Sequence, residues 1–122
     1  MEERNTYKIY EGGNIGEVQI ADDVVASIAG LAATEVKGVI SLAGGVTAEL
    51  ISKLGMKKLS KGVKVVVEDS NVTISVAINV EFGSNIPEVS AKVQEKVKTT
   101  VENMTGLSVI GVNVKVLGIG EE

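Results

Sequence analysis

VKVVVEDSNVTISVAINVEF, residues 63–82, is the stretch on which the fold turns. Its second half alternates with a period of two. Val72, Ile74, Val76, Ile78, Val80 and Phe82 fall on one side, and Thr73, Ser75, Ala77, Asn79 and Glu81 fall on the other. Successive side chains of a strand point to opposite faces, so this is a strand with one buried and one wetter face. Val63, Val65 and Val67 alternate in the same way ahead of the break at Asp69-Ser70-Asn71. A two-residue turn at Ser70-Asn71 would set Val67 against Ile74, Val65 against Val76 and Val63 against Ile78. All six then share a face, and a slip of one residue would destroy the match. Burying the six apolar residues of the second strand contributes roughly 1.5–3 kcal/mol each, much of it offset by the entropy of ordering the chain.

Working outward, the chain has 122 residues, 44% of them hydrophobic, which is enough for one domain with a real core. That core is aliphatic, because Tyr7, Tyr10 and Phe82 are the only aromatics. A net charge of −4 argues against general nucleic-acid binding, which needs clustered cations. Cysteine is absent, so disulfides and thiolate metal sites are excluded. Histidine is absent too, removing the commonest general base and metal ligand. Residues 24–33 form the longest run of small apolar side chains, and Ser27 interrupts it at about half a membrane span. With no apolar signal-peptide core at the start, the expected location is the cytoplasm.

Residues 1–14 read as a flexible polar leader, in which Tyr7 and Ile9 could add an edge strand. Gly16-Glu17-Val18-Gln19-Ile20 reads as a short strand. Asp22-Asp23 then opens a helix to about Glu35, with Val24, Ile28, Leu31 and Ala32 on one face. The two carboxylates read as an N-cap at the positive end of the helix dipole rather than as acid–base chemistry. Gly38 ends that helix and Val39-Ile40-Ser41-Leu42 forms a second strand. After the hairpin, Asn85 can cap a long helix, with Pro87 in its first turn and Glu88 three residues after the cap. Val89, Val93, Val97, Val101 and Met104 make its inner stripe, Glu88 and Lys92 pair at i,i+4, and Gly106 terminates it. Ile110, Val112, Val114 and Val116 alternate along a last strand, with Asn113 and Lys115 facing away. Residues 118–122 read as a fraying end.

Residues 44–62 are the hardest stretch to read. Leu50, Ile51 and Leu54 could line a short helix. Lys53, Lys57, Lys58, Lys61 and Lys64 gather five of the chain's 12 cations in one segment. As a solvated loop the segment needs no partner; as a surface it would suit membrane lipid or an acidic protein patch. RNA fits it poorly, since no aromatic is interleaved for stacking.

The elements sum to an α+β domain over residues 15–119, between the leader and a frayed end at 120–122. Its expected form is a two-layer sandwich, with a mixed, mostly antiparallel sheet of four to five strands carrying two long helices on one face. Motifs that would name a reaction are missing. There is no Gly-x-Ser-x-Gly elbow, no phosphate loop, and no Gly-x-Gly-x-x-Gly between a strand and a helix. No catalytic, cofactor-binding or metal-ligating residue is predicted.

The chain nevertheless resembles the alkaline-shock-protein family, envelope stress response proteins of Gram-positive bacteria. In the first half the resemblance is carried by Gly16-Glu17-Val18-Gln19-Ile20, Val24, Ile28-Ala29-Gly30, Ala32-Ala33, Glu35-Val36 and Gly38-Val39. In the second it is carried by Lys61-Gly62-Val63-Lys64-Val65, Phe82-Gly83, Ile86-Pro87, Val89, Val93-Gln94, Val97, Met104-Thr105-Gly106 and Val112-Asn113-Val114. The leader and residues 44–60 match nothing distinctive. The resemblance implies a non-enzymatic protein of cell-envelope homeostasis, without cofactor or small-molecule substrate. It further implies self-association and indirect membrane contact through a membrane-anchored relative. The competing expectation is a small nucleic-acid-binding α+β module. The candidate interaction surface is the small outer sheet face, Thr73, Ser75 and Asn79, together with Lys53, Lys57, Lys58 and Lys61.

Overall fold

A computed structural model describes residues 6–8, 17–47, 49, 51 and 62–120. The elements in chain order are β1 (Thr6–Lys8), β2 (Glu17–Gln19), α1 (Asp22–Thr34), β3 (Val39–Leu42), a 3-10 turn (Ala43–Gly45), β4 (Val63–Glu68), β5 (Asn71–Val80), α2 (Ile86–Thr105) and β6 (Ser108–Ile119). Beyond the turn, Ile51 is helical, buried and part of the core, as the short-helix expectation has it; Leu50 and Leu54 lie outside the described residues.

β5 is the centre of a four-stranded mixed sheet. One of its edges carries β6, parallel, along its whole length. The other is shared end to end by β4 and β3, both antiparallel. Gly62 makes that sharing possible. A Cβ there would lie 2.9 Å from Leu42 Cβ and 3.2 Å from Ala43 N, so only bare backbone lets β4 begin where β3 stops. Its carbonyl accepts from Ala77 N–H at 2.8 Å and continues the ladder. β1 and β2 form a separate antiparallel ribbon, Thr6 opposite Gln19. The predicted β2 is therefore a strand, but it pairs with part of the leader and not with the main sheet.

The hairpin has the predicted faces but a different turn. Glu68 pairs with Asn71, Val67 with Val72, Val65 with Ile74 and Val63 with Val76, so the two loop residues are Asp69 and Ser70. Asp69 takes φ 57°, a left-handed conformation that Asp tolerates better than most residues. Moving the turn by one residue moves the register by two, so every side chain keeps its face. Val72, Ile74, Val76, Ile78 and Val80 are all buried. Phe82 does not join them and is 59% exposed. β5 ends at Val80, and Glu81 N–H donates to Gly38 O while Ser84 N–H donates to Glu81 O, a turn that swings Phe82 outward.

Both helices cover the Val/Ile face, α1 over β3, β4 and β5, and α2 against α1 and β6. On α1 the buried stripe is Val25, Ala29, Gly30, Ala32 and Ala33, one position round from the expected face; Val24 is exposed and Ile28 and Leu31 are half-buried. Small side chains bring that helix close to its neighbours. Its N-cap is Ala21, with no side-chain cap bond, so Asp22 and Asp23 sit inside the first turn, at the positive end of the dipole, and neither is the N-cap residue. On α2 the predicted cap is in place: Asn85 Oδ1 accepts from Glu88 N–H at 3.1 Å, and Gly106, at φ 79°, closes the other end. Val89, Val93, Val97 and Val101 are buried as expected. The fifth inner residue is Thr105, not Met104, because the stripe keeps a strict spacing of four. The Thr105 hydroxyl is satisfied in the core, donating to Val101 O at 2.7 Å and accepting from Leu107 N–H at 3.1 Å.

β6 contains two bulges, between the pairs Val72–Val109 and Thr73–Gly111, and between Ile78–Val116 and Asn79–Gly118. Each inserts one residue and reverses the in–out alternation. Ile110 is the first inserted residue, so it is exposed and Val109 is buried in its place, against expectation. Val112, Val114 and Val116 pack against the core as predicted. The strand runs to Ile119, and Gly120 N–H donates to Val80 O at 2.7 Å, further than the expected fraying end.

Candidate interaction surface

The face of the sheet away from the helices is built from three rows fixed by register. Val66, Thr73 and Gly111 make one row, Lys64, Ser75 and Asn113 the next, and Ala77 with Lys115 the third. Thr, Ser and Ala in the middle leave a floor of short side chains between the longer ones on β4 and β6. The resulting shallow cavity holds about 440 Å³, with Lys64 on one wall and Lys115 and Leu117 on the other. Asn113 Nδ2 donates to Ser75 Oγ at 3.4 Å across its floor. Around this floor, Val66 is 57% and Leu117 50% exposed. Among the described residues, both helices bury their apolar stripes in the opposite layer and none covers this face.

The sequence-predicted residues divide sharply. Thr73 and Ser75 lie on this face, half-buried. Asn79 lies on it as well, but its amide is engaged at the β3 junction, Nδ2 donating to Ser41 Oγ at 3.1 Å and to Leu42 O at 3.4 Å. That bond joins β3 to β5 and leaves the amide little freedom for a partner. Lys53, Lys57, Lys58 and Lys61 lie outside the described residues. Lys64, the remaining lysine of that group, is exposed on β4 at the cavity wall. Sequence reasoning left out Val66, Leu117 and Ile110 as surface residues. The only hint in the sequence is the pair of large-residue–glycine steps, Ile110-Gly111 and Leu117-Gly118, that mark the bulges. Chemically the face can offer apolar contact, two ammonium groups and short hydrogen-bonding side chains. Among the described residues no group of three or more acidic, Cys or His side chains is placed to hold a metal.

A two-layer α+β domain, with one face of its sheet uncovered among the described residues, is the class this geometry defines. The chain belongs to the Asp23 family, described as having a cell-envelope-related function, which matches residues 11–120. The alkaline-shock-type resemblance read from the sequence is thereby met. The chain is 41% identical over 110 residues to the uncharacterized protein YqhY of Bacillus subtilis (strain 168), an alignment covering 90% of this chain and 82% of YqhY. It is 36% identical over 106 residues to YloU of the same organism, covering 85% of this chain and 88% of YloU. A protein of Streptococcus pyogenes named stress response regulator gls24 homolog is 33% identical over 117 residues, covering 95% of this chain and 65% of that protein. The family and these names refer to the envelope and to stress response, not to a reaction. A solved structure of the MamM CTD superposes with a TM-score of 0.50 at 14% identity, covering 79% of this chain and 93% of that one, and shares the fold alone. Among the described residues, no helix is long and apolar enough to cross a membrane.

Proposed function

We propose that this chain is a non-enzymatic protein of cell-envelope homeostasis, acting in the cytoplasm as an oligomeric scaffold near the membrane, which it reaches through a membrane-anchored partner. The observation that carries the reading is the outer face of the sheet, where Val66 and Leu117 are exposed on either side of Ser75 and Ala77 and no layer covers them among the described residues. Exposed apolar side chains set among short polar and charged ones suit contact with another protein. Lys64 and Lys115 add positive charge that suits an acidic protein surface.

The test combines solution mass with membrane partition. Light scattering across a concentration series is expected to give a mass that rises above the monomer. Flotation with vesicles is expected only when an anchored partner, captured by crosslinking in cells, is included. A strictly monomeric chain from which no envelope partner can be crosslinked would sink the proposal. Replacing both apolar flanks, Val66→Asp with Leu117→Asp, is expected to abolish partner capture while the unfolding midpoint stays within the range of ordinary surface changes.

A further inference from the structure

We infer that two copies of this chain join through the outer edge of β6, which no strand pairs with among the described residues, antiparallel about Val114, so that their sheets run together as one. The inference rests on the oligomeric reading above and names the contact. β5 turns alternate backbone groups to its two sides. The carbonyls of Ser70 and Val80 accept from β6, whereas Ala77 N–H donates toward β4 and Glu81 N–H toward β3. With Ile74, Val76 and Ile78 opposite Val112, Val114 and Val116, the backbone N–H and C=O of those three β6 valines point away from the sheet. Gln94 Nε2, donating to Val112 O at 3.1 Å from an exposed position, marks that side as open to a donor. Beside it, a cleft of about 400 Å³ separates Ala91, Gln94 and Lys98 of α2 from Ile110 and Val112.

The occupant follows from the strand's own residues. Between its two bulges lie six regularly paired residues, 111–116, and Lys115 is the strand's single charge. Pairing about Val114 sets Val112 against Val116 of the second copy, both with outward backbone groups, and joins the half-buried valines of both copies on the inner layer. It sets Lys115 against Asn113 of the second copy, not against another lysine. It also sets Ile110 against Gly118, and Leu117 against Gly111, so each protruding bulge residue meets a glycine. Moving the axis to Lys115 would put like charges face to face. Moving it to Asn113 would set Ile110 against Val116 and lose the match of bulk to glycine. The bulges blunt both ends of the edge and leave the middle free, which limits what can pair there. The two outer faces then form one continuous surface for an anchored partner.

Two independent measurements test this. The chain has no cysteine, so Val114→Cys introduces a single thiol. In an antiparallel hydrogen-bonded pair the two copies' Cα atoms lie about 5.5 Å apart, within disulfide reach. Diamide oxidation is expected to give a covalent dimer from Val114→Cys and none from Ser108→Cys, which lies far from the axis. In sedimentation, Asn113→Lys is expected to raise the dissociation constant about tenfold by facing two like-charged pairs. Adding Lys115→Glu is expected to restore it. A wild-type chain that self-associates while these variants neither crosslink selectively nor weaken it overturns the edge pairing and leaves the scaffold reading intact. A wild-type chain that is monomeric throughout overturns both.

Discussion

A Cβ placed on Gly38 would lie 2.9 Å from Val89 Cγ2, so the first turn of α2 rests on the bare backbone of the connection that follows α1. Gly38 also has φ 102°, and its carbonyl accepts from Glu81 N–H at 2.8 Å. One residue thus lets α2 settle, turns the chain and begins the pairing of β3 with β5.

Replacing it shows how these roles divide. Gly38→Ala is expected to destabilise the domain by about 2 kcal/mol or more, because the new methyl meets Val89 and L-residues resist that φ. The double variant Gly38→Ala/Val89→Ala removes the collision but not the backbone strain. Its loss in urea unfolding is expected to fall short of the sum of the two single changes.

The two helix starts predict unequal costs. Asn85→Ala removes a formed cap bond and is expected to cost about 1 kcal/mol. At position 23 the carboxylate acts on the dipole from an exposed place in the first turn. Removing it (Asp23→Ala) is expected to cost only about 0.3 kcal/mol, and less as salt rises. Thermal unfolding at low and high ionic strength separates the two.

Within β5, neighbouring positions are expected to behave oppositely. Ile78→Ala empties a site buried between the helices and the sheet, and should cost about 3 kcal/mol. Ser75→Ala, on the outer face, should change stability by no more than about 0.5 kcal/mol. Chemical denaturation of both variants at a fixed protein concentration provides the comparison.

Glu35 and Lys96 lie 3.7 Å apart across α1 and α2, both about half exposed. Exposed ion pairs are worth little, so a double-mutant cycle on Glu35→Gln and Lys96→Met should return a coupling of about 0.5 kcal/mol or less. A coupling several times larger would mean that this pair, and not the Val stripe, clamps the helices.

Much of this architecture is legible in single residues. The alternation from Val72 to Val80 announces β5 because period two is a local consequence of strand geometry. Asn85, Pro87 and Gly106 announce the ends of α2 because caps satisfy local backbone groups. Errors fall where a distant partner decides. Thr105 belongs inside because Val101 O and Leu107 N–H satisfy its hydroxyl; hydrophobicity alone favours Met104. Ile110 reads as inward until a bulge, set by pairing with β5, turns it out. Of the contact face, Thr73 and Ser75 are readable from the alternation. Val66, Lys115 and Leu117 join them only once β4 and β6 are placed on either side.

By itself, then, the chain's order of residues determined the elements, the buried face of β5, the two-layer α+β class and the family. Each depends on periodicity, capping chemistry or the linear order of many weak signals. The tertiary structure alone decided that β6 lies parallel to β5, that β3 and β4 share the opposite edge, and that the backbone groups of Val112, Val114 and Val116 point away from β5. An alternating apolar strand satisfies either edge of a sheet equally well. The choice is made by non-local pairing, through the return of α2 over β6 and the bare backbone of Gly62.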